Sequence, residues 1–62
     1  MDLYTFLMPF TGKTRVYICD NYNGYLLIDG KLEDLNYEMY DFCPVTKTEI
    51  SNGNLIVYIE RS

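Results

Sequence analysis

The residue types that carry most enzyme chemistry are scarce in this chain. It has no His, and its two serines, Ser51 and Ser62, fall in a turn-forming stretch and at the terminus. Without imidazole there is no side chain whose ordinary pKa suits general-base work near neutral pH. Carboxylates are the remaining option, and Glu33/Asp34 and Glu38/Asp41 form two pairs. Acid/base work by paired carboxylates needs desolvation to split their pKa values. A chain of 62 residues buries only about 60% of the surface it exposes when unfolded, which leaves little depth for that. The pairs are expected to form a solvated acidic face, and the chain is not expected to be an enzyme.

Two local patterns imitate ligand sites. Gly12-Lys13-Thr14 matches the end of a phosphate-cradling P-loop, but the pattern needs a glycine where Leu7 stands and a helix where a strand pattern begins. Residues 20–24 imitate a calcium loop, yet Tyr22 occupies a ligand position and no bidentate glutamate follows at the right distance. That segment reads as a turn. A structural zinc site takes four Cys or His ligands, whereas Cys19 and Cys43 are the only two here. Secreted mini-proteins normally carry more cysteines, so two buried, reduced thiols are expected, with no metal and no cofactor.

Charge narrows the partners. Five Lys+Arg stand against nine Asp+Glu, for a net charge of -4, and Lys13 with Arg15 is the only close basic pair. Phosphate neutralisation needs a concentrated basic patch, so direct nucleic-acid binding is disfavoured. An acidic surface can instead compete with nucleic acid for a basic groove, because complementary potentials steer encounter. With 48% apolar and 23% charged residues, the chain has the balance of a folded globular protein, and its length fits one domain, 1–62. The apolar runs at 25–28 and 55–59 are too short for a membrane span or a signal-peptide core. The expectation is a soluble, cytoplasmic protein without membrane attachment.

The elements that position these residues follow from periodicity. Leu3, Phe6, Leu7 and Phe10 fall at helical spacing, with Asp2 placed to cap and Pro9 and Gly12 to stop the helix; Tyr, Thr and Phe in the same stretch also favour a strand. Residues 14–20 alternate, and residues 25–29 return after Asn23-Gly24, closed by Gly30, so the pair reads as an antiparallel hairpin. In residues 31–42, Leu32, Leu35, Met39 and Phe42 recur at steps of three and four. This predicts a bend and about one helical turn, capped by Asp34 or Asn36, packing Leu35 and Met39 inward and presenting carboxylates outward. Residues 45–50 and 55–60 flank Asn52-Gly53 as a second hairpin. The expected fold is α+β: a short N-terminal helix on a four-stranded antiparallel sheet built from two hairpins. Its expected core is Leu3, Phe6, Leu7, Val16, Ile18, Leu27, Leu35, Val57 and Ile59.

Binding remains as the activity. Seven tyrosines in so short a chain are notable because tyrosine gives large contact area at low entropic cost. Tyr37 and Tyr40 stand among Glu33, Asp34, Glu38 and Asp41, a mixture suited to a basic partner whose arginines stack on rings while pairing with acids. Tyr22, Tyr37 and Tyr40 are expected to be exposed, and Tyr17, Tyr25 or Tyr58 to be structural. One helix covers one sheet face, which leaves Tyr17, Cys19, Ile56 and Tyr58 as a self-association patch for a homodimer. The competing reading is that Tyr17 and Tyr58 half-cover one another on a solvated face.

The order of elements resembles a group of small phage and prophage proteins of low-GC Gram-positive bacteria. The likeness rests on the opening helix (Leu3, Phe6, Leu7), the strand at 15–19, the Asp29-Gly30-Lys31-Leu32 step, the acidic turn at 35–40 and the closing hairpin with its strand at 55–59. Such families include inhibitors of bacterial defence systems, anti-CRISPR proteins among them, that act by binding. They share no common site, so the resemblance assigns no residue. It implies a non-catalytic accessory protein that acts by binding a host protein or protein–nucleic acid complex; charge and tyrosine content, not the resemblance, direct that binding to the acidic, Tyr-rich face. The alternatives are an oligomeric DNA-modulating protein, with Lys13, Arg15, Lys47 and Arg61 gathered by symmetry, and a structural assembly subunit.

Overall fold

A computed structural model describes residues 1–61. The N-terminal stripe forms α1 (Leu3–Leu7), as its spacing predicts, and the Asp2 carboxylate accepts the Thr5 N–H at 2.9 Å. That bond satisfies one of the amides a helix start leaves without a partner. Leu3 and Leu7 are fully enclosed, while Phe6 and Phe10 pack ring against ring at 5.5 Å beside the core.

Two hairpins follow. Strands β1 (Arg15–Asp20) and β2 (Leu26–Lys31) pair antiparallel, as do β3 (Val45–Ser51) and β4 (Asn54–Ile59). Asn52 and Gly53 close the second hairpin with φ of 52° and 78°, the doubly left-handed turn whose twist matches that of its strands. Strand β2 runs through Gly30 rather than stopping there. Leu27 forms a bulge in it, because Ile18 pairs with Ile28 while Cys19 pairs with Leu26.

The sheet order is β2-β1-β4-β3, with β1 and β4 parallel. The expected all-antiparallel sheet is thus corrected to a mixed one, and the cause is the connection between the hairpins. Strand β2 ends beside Arg15, at the start of β1. A tight turn there would send β3 along β1 and make β4 antiparallel to it. Residues 32–44 instead cross the sheet to its other edge and its other end, where Val45 pairs with Ile59, so β4 comes to run parallel to β1. The crossing has an energetic reason. Val16, Ile18, Leu55, Val57 and Ile59 share one face of the central strands and are buried; α1 covers part of that face, and Leu32, Leu35, Tyr37, Tyr40 and Cys43 from the connection cover the rest. Burial of each such aliphatic side chain is worth about 2 kcal/mol, which a short turn would forgo.

The connection carries two 3-10 turns, Leu32–Asp34 and Glu38–Tyr40, in place of the expected single helical turn. Bonds from the Leu3 N–H to the Cys43 carbonyl (3.0 Å) and from the Tyr4 N–H to the Asp41 carbonyl (3.1 Å) tie it to α1. Of the expected core, Leu3, Leu7, Val16, Ile18, Val57 and Ile59 are buried, and Leu55 joins them. Phe6, Leu27 and Leu35 are half-buried at its margin.

Candidate functional site

The acidic connection is built on a repeat of three. Successive bonds run from the Tyr40 N–H to the Tyr37 carbonyl (2.8 Å), from Asp41 to Glu38 (3.3 Å) and from Cys43 to Tyr40 (3.0 Å). Side chains three apart then lie on one side. Tyr37, Tyr40 and Cys43 form the inward side and pack against the core. Glu38 and Asp41 form a second side. Met39 and Phe42 form the third, and they are 83% and 87% exposed.

This arrangement corrects three expectations. Met39 points to solvent rather than into the core, because the turn is 3-10 and not α. Tyr37 and Tyr40 are half-buried rather than exposed, and Cys43 is only half-buried. Burial, helped by the Asp41 carboxylate and then Tyr4, pushes the Tyr37 phenol above its usual range. Tyr22 is exposed as expected, and Tyr25, assigned to the structural group, is exposed as well.

Of the six residues expected to bind a partner, Tyr37, Glu38, Tyr40 and Asp41 gather on the second turn, and Glu33 and Asp34 stand on the first. Tyr37, Glu38 and Asp41 line a shallow depression with Tyr4, Leu35 and Asn36. The Asn36 side-chain oxygen accepts the Glu38 N–H at 3.3 Å in a local turn that leads into the second 3-10 turn, while the N-cap residues of the two turns, Lys31 and Tyr37, make no side-chain cap bond. Met39 contributes to two further depressions, one with Tyr22, Tyr40, Cys43 and Arg61 and one with Ile28, Asn36 and Tyr40. Sequence reasoning found the acidic residues but missed Met39 and Phe42 as exposed apolar groups. The signal was the three-residue spacing of Tyr37, Tyr40 and Cys43.

The four residues expected to mediate self-association do share one face of the sheet. Asp29, Tyr17, Ile56 and Glu49 make one row across the strands, and Leu26, Cys19, Tyr58 and Lys47 make the next. The four sit in an open groove, rimmed by Leu26, Ser51, Asn52 and Asn54. Ion pairs flank the tyrosines. Arg15 lies 5.5 Å from the Tyr17 ring and pairs with Asp29 at 2.9 Å; Lys47 lies 5.3 Å from the Tyr58 ring and pairs with Glu49 at 2.9 Å. Burial, with Glu49 adding to it, pushes the Cys19 thiol up, which suppresses the reactive thiolate.

The two ligand-like segments have structural occupations. Gly12 carries the approach of the first 3-10 turn, whose Glu33 N–H donates to the Gly12 carbonyl at 2.9 Å; a Cβ at Gly12 would stand 2.9 Å from the Glu33 Cβ. Asp20 is 3% exposed and organises the first hairpin loop, accepting the Tyr22 N–H at 2.7 Å and the Arg61 Nε–H at 2.8 Å. The Tyr22 amide, and after it Arg61, hold its carboxyl below the usual range against the opposing effect of burial.

A carboxyl whose pKa is lower folded than unfolded contributes stability that is present above the unfolded value and is lost as pH falls through the folded one. Acidification below the ordinary aspartate range of about 4 is therefore expected to lower the urea midpoint of the native chain more steeply than that of Asp20→Asn, which has no such proton to take up. Parallel slopes would remove Asp20 from the account.

No family model, curated protein or solved structure matches the chain.

Proposed function

We propose that the chain is a non-catalytic binding protein that engages a basic, apolar-grooved host surface through the connection between its hairpins. The carrying observation is the exposure of Met39 and Phe42 on one side of a turn whose neighbouring side is Glu38 and Asp41. Large apolar side chains held out of a thin core cost hydrophobic stabilisation, and such groups set among charges are the usual make-up of an interface centre and its rim. Half-burial of Tyr37 and Tyr40 supports the same reading, because a docking turn must be rigid to limit the entropy lost on binding. The reading extends to a phage-encoded accessory protein acting in the host cytoplasm, whose acidic turn occupies a basic groove of a nucleic-acid-handling defence complex.

The opposite reading, direct contact with nucleic acid, draws no support from the cations. Arg15, Lys47 and Arg61 are each held by a carboxylate of the same chain, so three of the five basic residues are already partly neutralised.

Retention of host proteins from nuclease-treated lysate identifies the partner, and kinetics on the purified pair test the surface. Charge reversal at Glu33, Asp34 and Glu38 is expected to slow association about tenfold or more at low salt and to flatten its salt dependence. An unchanged association rate in a folded variant would count against the acidic turn.

A further inference from the structure

The two edges of the sheet are unlike. Strand β2 is bent by the bulge at Leu27 and holds Gly30, features that discourage further pairing. Strand β3 has a register shift of its own at Thr46, but it is regular from Lys47 to Ser51, contains no proline, and is exposed from Thr46 to Ser51. Its outer edge is closed at one end, where the Val45 N–H donates to the Met1 carbonyl at 2.9 Å and Asp2 bridges Pro44. At the other end stands the Asn52-Gly53 turn. The open, regular run is therefore residues 47–50, with the bulged Thr46 at its margin.

The backbone of that run faces outward at known positions. A two-residue turn makes Ser51 and Asn54 the closing hydrogen-bonded pair, and alternation along the ladder turns the N–H and C=O of Thr48 and Ile50 away from β4. Lysine on an edge strand usually guards it against pairing. Here the guard is matched by Glu49, two residues on and on the same face, which already holds Lys47 at 2.9 Å.

We infer that a second copy of this chain pairs antiparallel along β3, centred on Thr48, so that Lys47 of each copy faces Glu49 of the other. In this register Thr48 meets Thr48 through reciprocal backbone bonds, and Ile50, 77% exposed in the monomer, lies against Thr46 of the other copy. Centring on Lys47 or Glu49 would oppose like charges, and centring on Ile50 would set Thr48 against the turn. The charges thus select one arrangement among those the edge permits. The two four-stranded sheets become one, closed by a two-fold axis, and Met1 of each copy abuts the other's turn. The contact is small, so the dimer is reversible. It leaves the connection between the hairpins free and holds whether or not that surface binds a partner.

Sedimentation equilibrium from micromolar to millimolar concentration tests the pairing. Wild type is expected to show a monomer–dimer equilibrium, and Thr48→Pro to remain monomeric with native circular dichroism, since its lost N–H points outward and proline is tolerated there. Lys47→Glu and Glu49→Lys are each expected to self-associate about tenfold more weakly, because two cross-strand pairs turn from attraction to repulsion; mixing them in equal amounts restores a heterodimer of wild-type strength. A wild type that stays monomeric at millimolar concentration, or single variants that self-associate as strongly as their mixture, overturns the inference. So does a dimer that survives Thr48→Pro and is lost in Ile56→Ser, which would move the contact to the open face.

Discussion

Ile18→Ala is expected to cost about 3 kcal/mol of folding free energy, the middle of the range for deleting a fully buried aliphatic side chain. Ile18 has no exposed surface and sits at the junction of the two hairpins, with Ile28 opposite it on β2 and Val57 opposite it on β4. Both neighbours are held by ladder bonds, so the space left by the missing carbons collapses poorly. At about 0.05 to 0.15 kcal/mol per residue, a chain of 62 residues has roughly 3 to 9 kcal/mol in total. The variant should therefore be largely unfolded at the low end of that range and show a much lower urea midpoint at the high end. Ile50→Ala removes the same atoms from an exposed site and, at micromolar concentration, should shift stability by no more than about 0.5 kcal/mol. Equal midpoints for the two variants would show that the junction is not where the fold is held.

That junction was half legible in the sequence. Alternation located β1 and β4, and Asn23-Gly24 and Asn52-Gly53 marked both hairpins and so placed β2 and β3 beside them, because these signals are local. Apolar residues on both faces of β4 fit its place inside the sheet, but in the sequence they pointed to self-association. Which inner strand it would meet, and in which direction, depended on the path of residues 32–44. Parallel or antiparallel pairing of β1 with β4 changes no side-chain alternation, so no pattern within either strand records it. The need to cover Val16, Ile18 and Val57 on one face decides it, and that is a property of the assembled sheet.

The connection itself was misread for a different reason. Leu32, Leu35, Met39 and Phe42 fit an α-helical stripe, while Tyr37, Tyr40 and Cys43 fit a 3-10 turn, and the segment supports both spacings. Asn36 and Pro44 bracket it too closely for an α-helix to gain from propagation. The tighter turn lets two tyrosines rather than one methionine reach the core, since each ring carries more apolar area than the thioether chain. Seating the tyrosines inward is what drives Met39 and Phe42 out. The acidic residues were recognisable from composition alone, whereas the apolar anchors beside them became visible only with the turn geometry.

Those anchors carry the second large effect. The double replacement Met39→Ser with Phe42→Ser is expected to weaken binding to the partner about a hundredfold, as loss of two interface-centre side chains does. It should leave the urea midpoint within about 0.5 kcal/mol of wild type, because neither side chain belongs to the core. The loss should appear in the dissociation rate, since apolar contacts form after encounter and hold the complex once water is expelled. Reversal of Glu33, Asp34 and Glu38 acts instead on association, through the long-range field. The two variants thus separate the roles of adjacent sides of one turn. If the double serine variant dissociates as slowly as wild type, the exposed Met39 and Phe42 are incidental to binding; if charge reversal at Glu33, Asp34 and Glu38 is also without effect, the contact moves away from this turn, with the groove lined by Tyr17, Cys19, Ile56 and Tyr58 as the next surface to test.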